Sequence, residues 1–187
     1  MRRVGQNPVG FLTASSDDEG RYYGGLLVID PLGRPLEFHC TAPVTPSRAH
    51  AILYGPALIG HVCGNLIARA LIAQARVSLA ALFVDRAEFL VDRSELELPV
   101  ALAGADDITE EKIEEVVAAP GVTLIRTESF QSYSLWVHPE FHEDGAQCRA
   151  AWHDYLDNVE LMEPFERIRQ ALDEARQGQQ GQGNQAA

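Results

Sequence analysis

Three runs of strand-like character, Val9 to Ser15, Arg21 to Asp30 and Pro35 to Ala42, are separated by the polar turn Ser16 to Gly20 and by Pro31-Leu32-Gly33-Arg34. Connections this short predict an antiparallel meander. The apolar period then lengthens from 2 to 3.6 within a few residues. Thr45 is placed to cap a helix with Pro46 at its first position, where a missing N–H costs nothing. Gly55-Pro56 is expected to break it, and a longer segment from Pro56 to Gln74 carries Ile59, Val62, Cys63, Leu66, Ile67, Ala70 and Leu71 at i, i+3, i+4, i+7, i+8, i+11 and i+12. That is the clearest helical stripe in the chain.

Leu79 to Val84 is continuously apolar and predicts a central strand covered on both faces. Glu88 to Ala103 predicts an edge hairpin around Pro99. Asp107 and Glu110 have the spacing of a capping box ahead of a short helix ending near Pro120, and Val122 to Thr127 with Tyr133 to His138 predict a second hairpin. From Ala146 a helical stripe returns through Cys148, Ala151, Trp152, Tyr155, Leu156 and Val159, restarts at Pro164, and continues through Phe165, Ile168 and Leu172. The expectation is a single α/β domain over 1–176, with α+β as the alternative. Its mixed sheet starts with a three-strand antiparallel meander and packs against the long central helix and a C-terminal helix. Residues 177–187 are Gln, Gly, Asn and Ala, a composition that predicts a disordered tail.

At 187 residues, 46% hydrophobic and 22% charged, the chain is long enough to bury a core without disulfide or metal staples. Its net charge of −12 argues against binding nucleic acid or an anionic membrane, because the arginines are scattered and Lys112 is the only lysine. No apolar run in the sequence approaches the roughly 20 residues of a bilayer span. Three cysteines without a C-x-x-C pair suit a reducing compartment, and the first residues lack an unbroken apolar signal core, so a cytoplasmic location is expected.

Candidate chemistry starts with His39 beside Cys40, a pairing that suggests a thiolate and its base. Strand alternation separates them, with Leu36, Phe38 and Cys40 on one face, expected to be the core face, and Glu37, His39 and Thr41 on the other. His50 is the alternative partner for Cys40. His61-x-Cys63 and Cys148 with His153 lack the spacings of zinc sites, and His138 with His142 has the H-x3-H spacing but Pro139 disfavours a helix there and no cysteine pair matches it, so no metal is expected. Gly60, Gly64 and Ala68 form a small-residue line along the central helix, suited to close approach by another element of the chain or by a second subunit. Gly24-Gly25 lacks the context of a phosphate-cradling loop.

The order strand, strand, strand, helix, strand over residues 9 to 85 resembles the ribonuclease H-like fold, and Thr45-Pro46-Ser47-Arg48-Ala49-His50 looks like that family's first-helix opening. The resemblance implies a carboxylate at Asp85. It also implies departures: the first-strand aspartate falls at Thr13 or Ala14, and His50 replaces the helix glutamate. Two-metal hydrolysis needs several carboxylates, so the resemblance implies a copy inactive as a nuclease. Separately, Gly24 to Gly55, including Arg34-Pro35-Leu36-Glu37-Phe38-His39-Cys40, resembles an uncharacterised bacterial protein family.

With no convergent catalytic set, these readings favour a non-catalytic protein-interaction or assembly module with a protein partner or a homo-oligomer, no nucleic-acid or membrane partner, and no cofactor. Gly60, Gly64 and Ala68 are its candidate interface. The alternatives are an enzyme using Cys40, His39 or His50 with distant partners, or a small-ligand sensor.

Overall fold

Two helical layers enclose one seven-stranded mixed sheet in the computed structural model, which describes residues 7–105, 124–130 and 132–183. The strands are β1 (Val9–Ser16), β2 (Tyr22–Ile29), β3 (Pro35–Cys40), β4 (Ala81–Val84), β5 (Val100–Ala105), β6 (Ile125–Phe130) and β7 (Tyr133–Val137), in the order β3-β2-β1-β4-β5-β7-β6. β1, β2 and β3 form the antiparallel meander, and β4 and β5 run parallel to β1. The helices are α1 (Arg48–Gln74), α2 (Asp144–Trp152) and α3 (Glu163–Gly183).

Alternation along the strands sorts the core into two halves. Leu12, Ala14, Leu26, Val28, Leu82, Val84, Val100 and Leu102 meet Val62, Cys63, Ile67 and Leu71 of α1. On the opposite face Val9, Phe11, Leu27, Ile29 and Phe83 meet Cys148 and Trp152 of α2 and Phe165, Ile168 and Leu172 of α3. Phe11 centres an aromatic cluster there, with ring centroids 5.4 Å from Phe83, 5.8 Å from Trp152 and 5.2 Å from Phe165. The Tyr155 hydroxyl is buried with them and accepts from the Val9 N–H at 3.2 Å.

Gly24 and Gly25, adjacent on β2, let both layers reach the sheet. A Cβ at Gly24 would lie 2.1 Å from Ile67 Cγ2 of α1, and one at Gly25 would lie 2.3 Å from Ile168 Cγ2 of α3. Neither isoleucine can yield easily, since a β-branched side chain on a helix is stiff at χ1.

Several expected elements differ. Ser47, not Thr45, caps α1, its hydroxyl accepting from the His50 N–H at 3.1 Å. Gly55-Pro56 does not end the helix; the chain passes through a 3-10 turn, Gly55–Ala57, with Gly55 at φ 49°, and continues. Wider π-type turns follow over His61–Ala68. By length and composition α1 could cross a membrane, with a mean hydropathy of 1.5 over its most apolar 18-residue window, of which 33% is buried in the protein. Its first turns stand clear of the core, leaving Ile52 and Leu53 exposed.

The expected edge hairpin around Pro99 is instead a pair of 3-10 turns, Ala87–Leu90 and Arg93–Glu95, leading into β5. β5 is interior because Val100, Ala101, Leu102 and Ala103 are buried on both faces. The helix expected after Asp107 lies outside the described residues. α3 continues to Gly183, through much of the segment whose composition predicts no order.

Candidate functional site at the carboxyl ends of β1 and β4

β1 and β4 pair in parallel up to Leu12 and Val84, so their next residues, Thr13 and Asp85, emerge side by side at the carboxyl ends. Thr13 follows Phe11 onto the α2–α3 face. Its Oγ1 donates to Asp85 Oδ2 at 2.9 Å, and Arg169 Nη2 of α3 donates to the same oxygen. The other Arg169 nitrogen, Nη1, is held by Glu166 one turn earlier. Ile168 and Leu172, seated over Gly25, set α3 at the height that brings Arg169 to Asp85.

Asp85 is deeply buried, with a side-chain exposure of 4%, whereas Arg169 at 39% forms the outer rim. Asp85 Oδ1 and Ser15 Oγ are buried without a hydrogen-bond partner among the described residues. Burial raises the Asp85 carboxyl above its ordinary pKa, more than the Thr13 hydrogen bond and the Arg169 charge lower it. Arg86, next along the chain, reaches Ala14 O at 3.4 Å and pairs with Glu88 at 2.8 Å.

The divalent ions that the fold resemblance implies do not fit these residues. Thr13 is a donor to Asp85 where a second carboxylate would be required, and Arg169 already occupies the liganding oxygen. Among the described residues no three of His, Cys, Asp and Glu are grouped to hold a metal.

The other candidates lie elsewhere. Cys40 is exposed, as are Leu36 and Phe38 on the same face of β3, which corrects the expectation that this face is core. β3 is the edge strand, and the α2–α3 layer does not reach that face. His39, on the other face, bonds Glu37 at 2.7 Å; that contact, with the Arg76 backbone N–H, lowers the Glu37 pKa. His50 stands on the exposed start of α1, its ring near Tyr54 and His61 at 6.1 and 6.3 Å. No nucleophile–base pair forms among Cys40, His39 and His50. Cys63 is buried, and desolvation pushes its thiol up to about 12. Gly60 and Gly64 face the turn after β4, where an added Cβ would lie 2.8 Å from Val91 Cγ2 and 2.9 Å from Asp92 Oδ2; Ala68 is buried with them.

A second buried charge pair sits at the far end of the sheet. Arg93 Nε and Nη2 donate to Asp144 at 2.5 and 2.9 Å, Val100 N donates to Asp144 at 3.1 Å, and Arg93 Nη1 donates to Leu96 O at 2.6 Å. Each of these partners comes from the chain itself, so the pair pins α2 to the start of β5. Signals for the Asp85 site were thin in the sequence. Asp85 stood out through the fold resemblance, but nothing local pointed to Arg169, which is 84 residues away.

The molecule is thus an α/β protein with a mixed sheet and a buried carboxylate where two parallel strands end. No family model and no curated protein matches the chain. Among solved structures it is similar to the catalytic domain of human endonuclease V, at 13% identity and TM-score 0.49, covering 95% of this chain and 85% of that one. It is also similar to two DNA complexes of Ciona intestinalis endonuclease V. One has 10% identity and TM-score 0.48, the other 9% and 0.45, and both cover 91% of this chain and 87% of that one. These matches correct two expectations: the structures alike in fold are nucleases, two of them bound to DNA, rather than non-catalytic protein-interaction or assembly modules, and nucleic acid is not set aside as a partner. At such identities the likeness concerns fold, and the functional reading rests on the site itself.

Proposed function

We propose that this protein engages nucleic acid at the carboxyl ends of β1 and β4, with Asp85 as the group that meets the ligand. One observation carries this reading: a buried carboxylate whose Oδ2 is held by Thr13 and Arg169 while Oδ1 has no partner among the described residues. Open α/β sheets take ligands in the crevice outside the carboxyl ends of their strands. Buried carboxyls with raised pKa cluster at working sites. The position is also the carboxylate position of the ribonuclease H-like resemblance.

An unpaired carboxylate oxygen accepts hydrogen bonds and repels phosphate. The contact at Asp85 is therefore to an N–H or O–H, which nucleic acid offers as base amino groups and, in RNA, as the 2′-hydroxyl. The net charge of −12 provides no basic stripe for the phosphates, so binding at this site rests on local contacts of that kind. No cleavage step is assigned, since the carboxylates for two-metal hydrolysis do not converge among the described residues.

The test is fluorescence anisotropy with matched DNA and RNA oligonucleotides, including inosine-containing DNA, for wild type and Asp85→Ala. Loss of a hydrogen bond to a charged group costs about 1.5–3 kcal/mol, so affinity should fall about 10- to 100-fold, with a shallow salt dependence in wild type. Absence of wild-type binding at low salt, or equal binding by a folded Asp85→Ala variant, would overturn the reading.

A further inference from the structure

We infer that the Arg169 guanidinium stands where a divalent ion would be needed beside Asp85, giving this site a fixed, built-in cation that works without metal. The inference concerns the same site as the functional reading but not the identity of its ligand, so a different measurement decides it.

The placement of Arg169 follows from packing. Gly25 has no side chain, α3 settles onto β2 through Ile168 and Leu172, and the residue after Ile168 is carried to the ends of β1 and β4. There Asp85 Oδ2 receives two donors, the Thr13 hydroxyl from the sheet and Arg169 Nη2 from the helix. A metal ion would have to displace the guanidinium from that oxygen, and among the described residues the strand ends themselves would offer it Asp85 as their carboxylate, with Glu166 tied to the same guanidinium on α3. Thr13 supplies a donor, and His50, at the helix position implied by the resemblance, lies among Tyr54 and His61 on the exposed start of α1.

Charge argues in the same direction. Arginine stays protonated at any accessible pH, and its planar fork bridges two carboxylates, here Asp85 and Glu166. A divalent cation approaching Asp85 would meet this permanent positive charge within the contact distance of its own ligand. The fixed cation partly neutralises Asp85 through Oδ2 and leaves Oδ1 buried without a hydrogen-bond partner among the described residues.

Mn²⁺ is the probe, because it suits carboxylate ligands and broadens nearby NMR signals. In ¹⁵N-labelled wild type, submillimolar Mn²⁺ should leave the amide signals of Thr13, Asp85 and Arg169 no broader than those of surface carboxylates elsewhere. The double variant Thr13→Asp with Arg169→Ala supplies two carboxylates and removes the resident cation. It should gain selective broadening at residues 13 and 85 and a Mn²⁺-dependent rise of several degrees in melting temperature. Selective broadening in wild type that Asp85→Asn abolishes would overturn the inference, as would a folded double variant that gains nothing. If the double variant does not fold, Arg169→Ala alone decides through the ¹³C carboxyl titration of Asp85. The titration should move to higher pH when the guanidinium is lost, and an unmoved titration would overturn the inference. None of these readouts depends on oligonucleotide binding, so they separate a failed cation assignment from a failed ligand.

Discussion

At the residue scale, two aspartates at the same end of the sheet respond to pH in opposite senses. Asp85 is raised by burial, so the folded state holds its proton more tightly than the unfolded chain does. Its contribution is most favourable at acidic pH and is lost as pH climbs from the unfolded value through the raised folded one. Asp17 is different: burial pushes it up, but the backbone and side chain of Arg21 and the Tyr23 hydroxyl outweigh that and hold it down at about 2. Its contribution is present above the ordinary value near 3.8 and disappears as pH falls toward 2. Urea melts across pH 3 to 8 should therefore show the stability gap between wild type and Asp85→Asn shifting against wild type as pH rises. For Asp17→Asn the gap should shift against wild type as pH falls. Parallel pH profiles for the two variants would contradict these assignments.

Elements meet where side chains are missing. The adjacent glycines of β2 serve opposite helical layers, so an added methyl tests each layer separately. Gly24→Ala drives into Ile67 of α1 and Gly25→Ala into Ile168 of α3. Each should cost about 1–3 kcal/mol by overpacking, read as a lower midpoint in thermal or urea melts. Only Gly25→Ala should also disturb the Asp85 environment, because α3 carries Arg169; chemical-shift changes at Thr13 and Asp85 in that variant alone would mark the difference. Gly60 and Gly64 follow the same logic on α1. The helix gives up propensity there, and the turn bearing Val91 and Asp92 approaches closely enough for Asn65 Nδ2 to reach Asp92 at 2.6 Å.

For the whole molecule, stability rests on two apolar layers separated by one sheet, and among the described residues Leu172 is the last buried apolar position of α3. Removing Gln177 to Ala187 takes away the end of a helix, composed of Gln, Gly, Asn and Ala, without touching the buried positions up to Leu172. Thermal stability of the truncated chain should match wild type within about 0.5 kcal/mol, the range of changes outside packed features. A clear fall in melting temperature would mean that the tail docks on the body of the protein.

Periodicity alone carried the chain to the α/β class, the opening meander, the buried half of the α1 stripe (Val62, Cys63, Ile67 and Leu71, but not the exposed Ile59, Leu66 and Ala70) and most inward positions of α2 and α3, because local alternation reports which face of an element is apolar. It misplaced what depends on neighbours. Leu36, Phe38 and Cys40 read as a core face, yet β3 lies at the sheet edge where no helix covers them. Val100 to Ala103 read as an edge, yet pairing with β4 and β7 makes the strand interior. The candidate site was only half legible. Asp85 was marked by the order of elements, but its partners Thr13 and Arg169 lie 72 and 84 residues away in sequence. Only the parallel pairing of β1 with β4 and the seating of α3 on Gly25 bring those groups together, since side-chain chemistry between distant residues has no period for a sequence to display.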